Sequence, residues 1–278
     1  MAPPADVRRA LLHHLAALDT VLKGRVEWVY LVGSVALDAY QPGRSDVDLV
    51  IVLDRRLTSF ELWRLRLGRV LGAVPRAAAN VVRRRWTFPG TVNAVYVTTE
   101  DVTRPVSAIE PVASHAGTSF SVGSAFDVNP VSWSVLARRG VPVIGPPPAE
   151  LGLDPEPDTL VPWCRDNLAT FWRGLATRRR GGRISRSGLA QEVLNVPRLW
   201  VTATTGEVVS RVEAGERALA AFGPEWHPLL RDALAWRHHQ PADPAFADPH
   251  VRAERTAAWI DHVCDTVLGG QEAPSTSA

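Results

Sequence analysis

The strongest constraint on the fold lies near the N-terminus, where a polar loop separates two apolar segments. The first segment, 26–32, is short and almost continuously apolar, and a Gly-Ser pair at 33–34 follows it directly. The loop closes with Ser-Asp-Val-Asp over 45–48, and residues 47–53 form a second run that is rich in β-branched side chains. Short runs of this kind predict strands. The sequence therefore predicts two strands, with a polar loop between them at one edge of a sheet.

Further elements follow from the spacing of apolar residues. Residues 6–23 and 58–72 have helical spacing, and strand patterns occur around 80–86 and 92–98. Strands that alternate with helices in this way are typical of a small α/β unit. We therefore predict an α/β (α+β) unit with a small mixed sheet.

The second half of the chain differs from the first in its composition and in the spacing of its apolar residues. A Pro-rich stretch, 145–157, has the character of a linker. Beyond it, residues 158–268 are helical by periodicity, and a short polar tail ends the chain. We predict an α/β domain over 1–150, an all-α helical-bundle domain over 158–268 and a disordered tail over 269–278.

The polar loop contains residue types that bind metal ions and phosphates. Asp46 and Asp48 are two positions apart, so on a strand their side chains point to the same face and can share one Mg²⁺ ion. Gly33 permits close approach of the backbone to a phosphate, and Ser34 and Ser45 offer hydroxyls and amides. An Asp-x-Asp pair on a solvated edge strand is the structural alternative. The flanking apolar strands and the Gly-Ser pair favour the metal and nucleotide site.

These segments resemble the polymerase-β-like nucleotidyltransferase superfamily, and within it the bacterial aminoglycoside adenylyltransferases of the streptomycin/spectinomycin type. The similarity is carried by residues 31–34 and 45–49, and by a second block at 193–200 and 205–211. The resemblance implies a catalytic nucleotidyltransferase-fold domain, a C-terminal helical bundle, and ATP as the favoured donor.

Two arginines of the helical half fall at nucleotide-binding positions of the resembled family. Arg198 matches an arginine that contacts the nucleotide phosphates, and Arg211 matches a lysine with a similar role. A planar guanidinium suits bidentate contacts to phosphate. An ordinary arginine on a helix surface is the alternative for each residue.

Asn93 departs from the resembled family, which carries a glutamate there as the general base. Asparagine accepts no proton near neutral pH, so the sequence leaves open whether the catalytic position keeps the same chemistry. Glu100, Asp101 and Asp127 are the carboxylates that the sequence offers instead. Glu100 lies seven residues further on and would need a different geometry.

The residues at the position that binds the acceptor in the resembled family also differ from the family's pattern. The family presents an acidic residue shortly before the Arg198 block to hold a cationic drug, and here Gly188 occupies that place, with Glu192 nearby. The same region is rich in arginine: Arg178, Arg179, Arg180, Arg183 and Arg186. Such a patch repels an aminoglycoside and suits a phosphate or a carboxylate. A solvated basic loop is the alternative.

Composition limits the partners. The 31 basic and 29 acidic residues give a net charge of +2, which provides no global attraction to nucleic acid or to an anionic membrane. No apolar run reaches the roughly 18 residues that span a bilayer, and the N-terminus lacks the layout of a signal peptide. Cys164 and Cys264 have no zinc-ligand spacing. We expect a cytoplasmic monomer or weak dimer with a small-molecule acceptor and with no nucleic-acid or membrane partner.

Three functions fit these patterns. The first is antibiotic modification or a similar reaction, in which a metal-dependent transferase moves a nucleotidyl group from a nucleoside triphosphate to a hydroxyl of an aminoglycoside-like or other natural product. The second is sugar transfer from a nucleotide-sugar on the same scaffold, because an electrophile that ionises early depends less on a base. The third is a non-catalytic nucleotide-binding module, against which the retained Asp46 and Asp48 argue.

Overall fold

A mixed β-sheet organises the first of two units into which the chain divides, Met1–Pro157 and Asp158–Ala278. The computed structural model describes residues 3–68, 92–117 and 119–269. The strands are β1 (Val26–Leu31), β2 (Val47–Leu53), β3 (Val92–Thr98), β4 (Ala113–Ala116), β5 (Ser119–Val122) and β6 (Val141–Ile144). Within the described residues their order is β5-β4-β3-β2-β1-β6. Among the described strand pairs only β2–β3 is parallel, which confirms the predicted mixed sheet.

Helices accompany the strands of this unit: α1 (Ala5–Leu22), α2 (Gly33–Ala36), α3 (59–68), α4 (Thr99–Val102) and α5 (Pro130–Arg139). The predicted helix over 6–23 is confirmed as α1, which buries a stripe that includes Val7, Leu11 and Leu18. The predicted helix over 58–72 is observed from 59 to 68, and its remainder lies outside the described residues. The strand predicted around 80–86 also lies outside them.

The two central strands are buried except at one position each. Asp48 in β2 and Asn93 in β3 are half-buried, and every other residue of both strands is buried. One face of these strands packs against α1, where Leu49, Ile51 and Tyr96 join Leu11 in a single core cluster. A fully buried parallel pair requires apolar side chains on both faces. The two polar residues therefore stand out as exceptions near the start of their strands.

The second unit is helical within the described residues, as predicted. Its elements are α6 (Leu160–Asn167), a π-helical segment (Leu168–Trp172), α7 (Arg173–Arg179), α8 (Arg186–Thr205), α9 (Arg211–Ala221), α10 (His227–Arg237) and α11 (Pro249–Leu268). The helix α8 packs against α6, α9, α10 and α11. No described helix is both long and apolar enough to cross a membrane.

Pro197 lies inside α8 and removes one helical donor. A proline has no N–H, so the carbonyl of Val193, four residues earlier, loses its partner in the helix. The indole Nε1 of the fully buried Trp259 donates to that carbonyl over 3.0 Å. The tertiary contact therefore replaces the missing hydrogen bond, and α8 continues through the proline.

Candidate functional site

Asp48 and Asn93 face each other across the parallel strands. Their Cα atoms are register partners, and the side-chain Nδ2 of Asn93 donates to Oδ1 of Asp48 over 3.0 Å. The Oδ1 of Asn93 accepts a hydrogen bond from the backbone N–H of Gly117 at 3.1 Å. Asn93, predicted as a catalytic residue in place of the family's glutamate, therefore contacts the predicted metal ligand through a neutral donor. An amide in this position orients a carboxylate and takes no proton.

The turn after β1 packs directly on Asp48. Gly33 has φ +58°, in the left-handed region that glycine adopts readily. A Cβ atom added to it would lie 2.3 Å from Oδ2 of Asp48. The backbone N–H of Val32 donates to the carbonyl of Asp48 over 3.0 Å. The absence of a side chain at position 33 thus creates the space that the carboxylate fills.

Asp46 lies one residue before β2, and the buried Val47 separates it from Asp48. Both aspartates are half-buried, and this alternation places them on the same side of the chain. The phenol of Tyr40 donates to Asp6 over 2.7 Å. Burial, together with the carboxylates of Asp6 and Asp46, raises the pKa of Tyr40. The phenol therefore stays neutral beside the aspartates.

The donor set suits a magnesium ion that arrives with phosphate. No three His, Cys, Asp or Glu side chains in the described part of the chain form a group that is arranged to hold a metal ion. Asp46 and Asp48 are instead a pair of carboxylates. Mg²⁺ is commonly bound by one or two carboxylates together with substrate phosphates and water, and seldom by an all-protein cage. The residues present therefore fit a metal ion that the nucleotide helps to hold.

The two serines of the loop have different surroundings. The Oγ of Ser34 is buried and makes no hydrogen bond within the described residues. Ser45 is buried, and its hydroxyl accepts from the backbone N–H of Gln41 at 3.0 Å while its own N–H donates to the carbonyl of Gln41. Ser45 therefore stabilises the loop, and its role at a phosphate stays a prediction. The helix α2, which begins with the Gly-Ser pair, is a single turn, so it offers local N–H groups and little helix dipole.

The three carboxylates that the sequence offers as substitutes for the family's glutamate lie in different places. Asp101 is buried and accepts hydrogen bonds from Thr98 and Arg104 at 3.0 and 3.1 Å. Both Asp101 and Glu100 belong to α4, which follows the C-terminal end of β3, whereas Asn93 is near the beginning of that strand. Neither is near Asp48 along the sheet.

Asp127 lies just before α5, a helix that packs against α2. The residue is exposed to solvent. The surrounding protein still displaces part of the water around its carboxyl, and this effect, together with the charge of Asp48, raises the pKa of Asp127 to about 6. The carboxyl of Asp127 thus interacts electrostatically with Asp48.

In the helical unit, the two predicted phosphate-binding arginines lie on consecutive helices. Arg198 of α8 donates through Nε to the carbonyl of Val209, over 3.0 Å. Arg211 is the first residue of α9 and donates through Nε to Oδ1 of Asn195 over 2.8 Å. Both arginines are half-buried. These contacts hold the two arginine side chains at the contact between α8 and α9.

The arginine-rich region is largely neutralised by carboxylates. Arg179 pairs with Glu192, Arg180 with Asp261, and Arg186 with the buried Asp232. Glu192, the acidic residue nearest to the family's drug-binding position, is thus engaged by an arginine of its own unit. At Gly188 an added Cβ would lie 2.7 Å from Ile184. Packing therefore disfavours an acidic side chain there.

Comparisons with known proteins agree with this arrangement. Residues 16–77 match the nucleotidyltransferase domain, and residues 186–259 match the C-terminal domain of aminoglycoside adenylyltransferase. The fold is similar to that of spectinomycin adenyltransferase AAD(9) from Enterococcus faecialis, which was crystallised with ATP and spectinomycin. The TM-score is 0.67 at 12% sequence identity, and the match covers 93% of this chain and 99% of the other. A comparison with curated proteins finds no match.

The likeness in structure shows the fold, and the two domain matches indicate the type of enzyme. They favour nucleotidyl transfer and give no support to sugar transfer or to a non-catalytic module. The order of the two domains on one chain is the order implied by the sequence blocks around residues 31–49 and 193–211. The chain is therefore an enzyme of the nucleotidyltransferase type that is similar to the aminoglycoside adenylyltransferases.

Proposed function

We propose that this enzyme transfers a nucleotidyl group from a nucleoside triphosphate, with ATP as the favoured donor, to a hydroxyl of a small natural product of the aminoglycoside type. The observation that carries the proposal is the environment of Asp48. Asn93 holds one oxygen of its carboxylate, and the space left open at Gly33 accommodates the other. The similarity to a fold that was crystallised with ATP and spectinomycin supports this choice of donor and acceptor class.

Asp46 and Asp48 are the residues that would hold Mg²⁺. When bound, Mg²⁺ supplies positive charge that neutralises the triphosphate and the departing pyrophosphate. The backbone of Gly33 and the hydroxyl of Ser34 are the groups that we assign to the phosphates. The buried hydroxyl of Ser34 has no hydrogen bond within the described residues, and a phosphate oxygen would satisfy it.

Arg198 and Arg211 are the cationic groups that we assign to the triphosphate. Their Nε atoms already bond to Val209 and Asn195, so part of the entropy cost of ordering these long side chains is met before a nucleotide arrives. A guanidinium forms charge-assisted hydrogen bonds to phosphate oxygens that are stronger than neutral ones. The two residues would thus stabilise the charge that develops on the leaving group.

In the proposed reaction, the acceptor hydroxyl oxygen forms a bond to the α-phosphorus of the triphosphate. The bond between the α-phosphorus and the bridging oxygen to the β-phosphorus breaks, and pyrophosphate leaves with that electron pair. The proton of the hydroxyl must pass to a base. We assign that role to Asp127 because it is exposed and its carboxyl interacts with the charge of Asp48.

The test is a binding and product experiment. The thermal stability of the protein is measured with ATP, with and without Mg²⁺, for the natural sequence and for Asp46→Asn and Asp48→Asn. A ligand at 100 times its Kd stabilises a protein by about 2.7 kcal/mol. We expect the Mg²⁺-dependent part of this stabilisation to disappear in both variants. Asp19→Asn, an exposed change on α1, is the matched control and should keep it.

Products are then followed with ATP labelled at the α-phosphate and with spectinomycin and streptomycin as acceptors. The proposal predicts a labelled nucleotidyl ester together with unlabelled pyrophosphate. A Mg²⁺-dependent stabilisation that survives in both aspartate variants would show that the metal site is elsewhere. Binding of ATP without any labelled ester, across a broad panel of hydroxylated natural products, would contradict nucleotidyl transfer.

A further inference from the structure

Arg211, the first residue of α9, is held by a side chain of the neighbouring helix α8. Its Nε donates to Oδ1 of Asn195 over 2.8 Å, and both residues are half-buried. The orientation of the amide is fixed, because Nε–H only donates and must face the carbonyl oxygen. In the part of the chain that the structure describes, this is the one side-chain hydrogen bond of Arg211. Asn195 therefore determines where the guanidinium lies.

The packing of α9 against α8 brings the two residues together. Gly215 lies four residues after Arg211, on the same face of α9. A Cβ atom added to Gly215 would lie 2.7 Å from the side chain of Leu194, which precedes Asn195 in α8. The absence of a side chain at position 215 thus lets α9 lie close to α8, and Arg211 comes within reach of Asn195.

The acceptor at position 195 is neutral, unlike the partners of several other arginines in this unit. Arg179, Arg186 and Arg217 pair with carboxylates, which neutralise their charges. Within the described residues Arg211 has no carboxylate partner. The amide takes one N–H donor of the guanidinium and leaves the donors of the two terminal nitrogens for a ligand. Arg211 is thus held in place and keeps its charge for an anion.

The position of Arg211 in α9 adds to this excess of positive charge. Ser210 is the N-cap of α9, and its side chain accepts from the N–H of Glu213. Arg211 therefore occupies the first turn, where the positive end of the helix dipole disfavours a cation. The carboxylate of Glu213, in the same turn, pairs with Arg217. A half-buried cation at this end of a helix is electrostatically unfavourable by itself, and an anion such as a phosphate would stabilise it.

We propose that Asn195 is a positioning residue for nucleotidyl transfer. It holds the guanidinium of Arg211 through a neutral oxygen, so that the group is oriented before a nucleotide binds and keeps its charge for the phosphates. The proposal rests on the proposed function, since it requires Arg211 to contact the phosphates. Asn195 acts through Arg211. An aspartate at position 195 would hold the guanidinium more tightly and neutralise the charge that binds the phosphate.

The experiment is a double-mutant cycle between Asn195 and Arg211. The Kd of α,β-methylene-ATP with Mg²⁺ is measured by titration calorimetry for the natural sequence, Asn195→Leu, Arg211→Ala and the double variant. Leucine has a similar volume and no acceptor, so Asn195→Leu should raise the Kd about fivefold through the cost of ordering one long side chain. In the Arg211→Ala background the same substitution should change the Kd less than about twofold, since the residue through which Asn195 acts is absent.

Asn195→Asp keeps an acceptor of the same size and adds a negative charge. It should raise the Kd about tenfold, as removal of the Arg211 side chain does, without lowering the Tm. Because it keeps the polar contact, it tests the proposal independently of any effect of leucine on packing. Thr204→Val is the matched control, since it removes hydrogen bonds from an exposed residue of α8 to carbonyls of its own helix. It should leave the Kd unchanged.

The outcomes separate the role of Asn195 from the proposed function. An unchanged Kd in Asn195→Leu, or an equal loss of affinity with and without the Arg211 side chain, would overturn the positioning role alone. Binding by Asn195→Asp as tight as that of the natural sequence would overturn the requirement for a neutral acceptor. An unchanged Kd in Arg211→Ala would contradict the phosphate role of Arg211 in the proposed function, and the role of Asn195 with it.

Discussion

A Cβ atom on Gly33 would lie 2.3 Å from the Oδ2 atom of Asp48. Real side chains do not approach that closely. A side chain at position 33 and the carboxylate of Asp48 in its present position therefore exclude each other unless one of them moves. The requirement is steric and separate from the positive φ angle of Gly33, which by itself disfavours a side chain. The same strand–turn unit therefore imposes two independent restrictions on position 33.

Gly33→Ala should weaken metal-dependent binding of nucleotide. The methyl group displaces the carboxylate of Asp48, and we expect the Kd for ATP with Mg²⁺ to rise at least about tenfold, which corresponds to 1.4 kcal/mol. The measurement is calorimetric titration. Gly43→Ala is the control because Gly43 has φ +68° in the same loop and no atom within 4 Å of an added Cβ. Both variants should lose about 1–2 kcal/mol of stability from the left-handed conformation, and only the first should lose affinity.

Arg198→Ala and Arg211→Ala should each raise the Kd for ATP with Mg²⁺ by about tenfold, since each removes a charge-assisted contact to phosphate. The Kd is measured by titration calorimetry, and circular dichroism verifies the fold. Arg217→Ala removes a half-buried arginine of α9 that pairs with Glu207 and Glu213, and it should change the Kd less than twofold. Equal effects of all three substitutions would indicate a general loss of positive charge and would exclude specific roles for Arg198 and Arg211.

Asp127→Asn should change the pH dependence of stability in the metal-free enzyme. The pKa of Asp127 is raised in the folded protein to about 6 from its ordinary value of 3.8. The folded state therefore binds a proton more tightly than the unfolded state, and the carboxyl destabilises the protein progressively as the pH rises from about 4 to about 6. In EDTA, the Tm of Asp127→Asn should exceed that of the natural sequence at pH 7.5, and the difference should vanish near pH 4. A difference that is the same at both pH values would contradict this assignment.

The same substitution tests the proposed role of Asp127 in proton transfer. General base catalysis contributes about 10²–10⁴-fold to a rate, so kcat should fall by at least about a hundredfold. The Kd for ATP with Mg²⁺, measured by calorimetry, should change little. Asp101→Asn changes a buried carboxylate that Thr98 and Arg104 hold. It should lower the stability of the protein and change the kcat of the folded enzyme little. A small loss of kcat in Asp127→Asn would remove that residue from the chemistry.

Local patterns in the sequence were sufficient for β1, β2 and β3, which are short apolar runs, and for α1, where burial of one face imposes a helical period. The alternation of Asp46, Val47 and Asp48 is also a local property, so their shared side of the chain followed from spacing alone. The partner of Asp48 was not predictable in this way. Asn93 is 45 residues away, and the contact depends on the parallel register of β2 and β3, which no short window contains.

The pairing of side chains across helices could not be predicted from local sequence patterns either. The arginine-rich segment around residues 178–186 was consistent with an anion site, but the carboxylates that neutralise it come from α8, α10 and α11. A phosphate role for Ser45 was predicted from its residue type, and its burial and its hydrogen bond with Gln41 depend on the shape of the loop, which the sequence alone does not show. A sequence shows which residues carry charges and hydroxyl groups. The residues that pair with them are determined by the tertiary structure.

The parallel pairing of β2 with β3 also bears on how the molecule is made. Parallel neighbours cannot be joined by a tight hairpin and need a long crossover connection, and contacts between residues distant in the chain form slowly. During synthesis both aspartates leave the ribosome before Asn93 and Gly117 exist. A nascent or truncated chain that stops short of residue 92 therefore contains the whole loop motif and lacks the amide that holds Asp48.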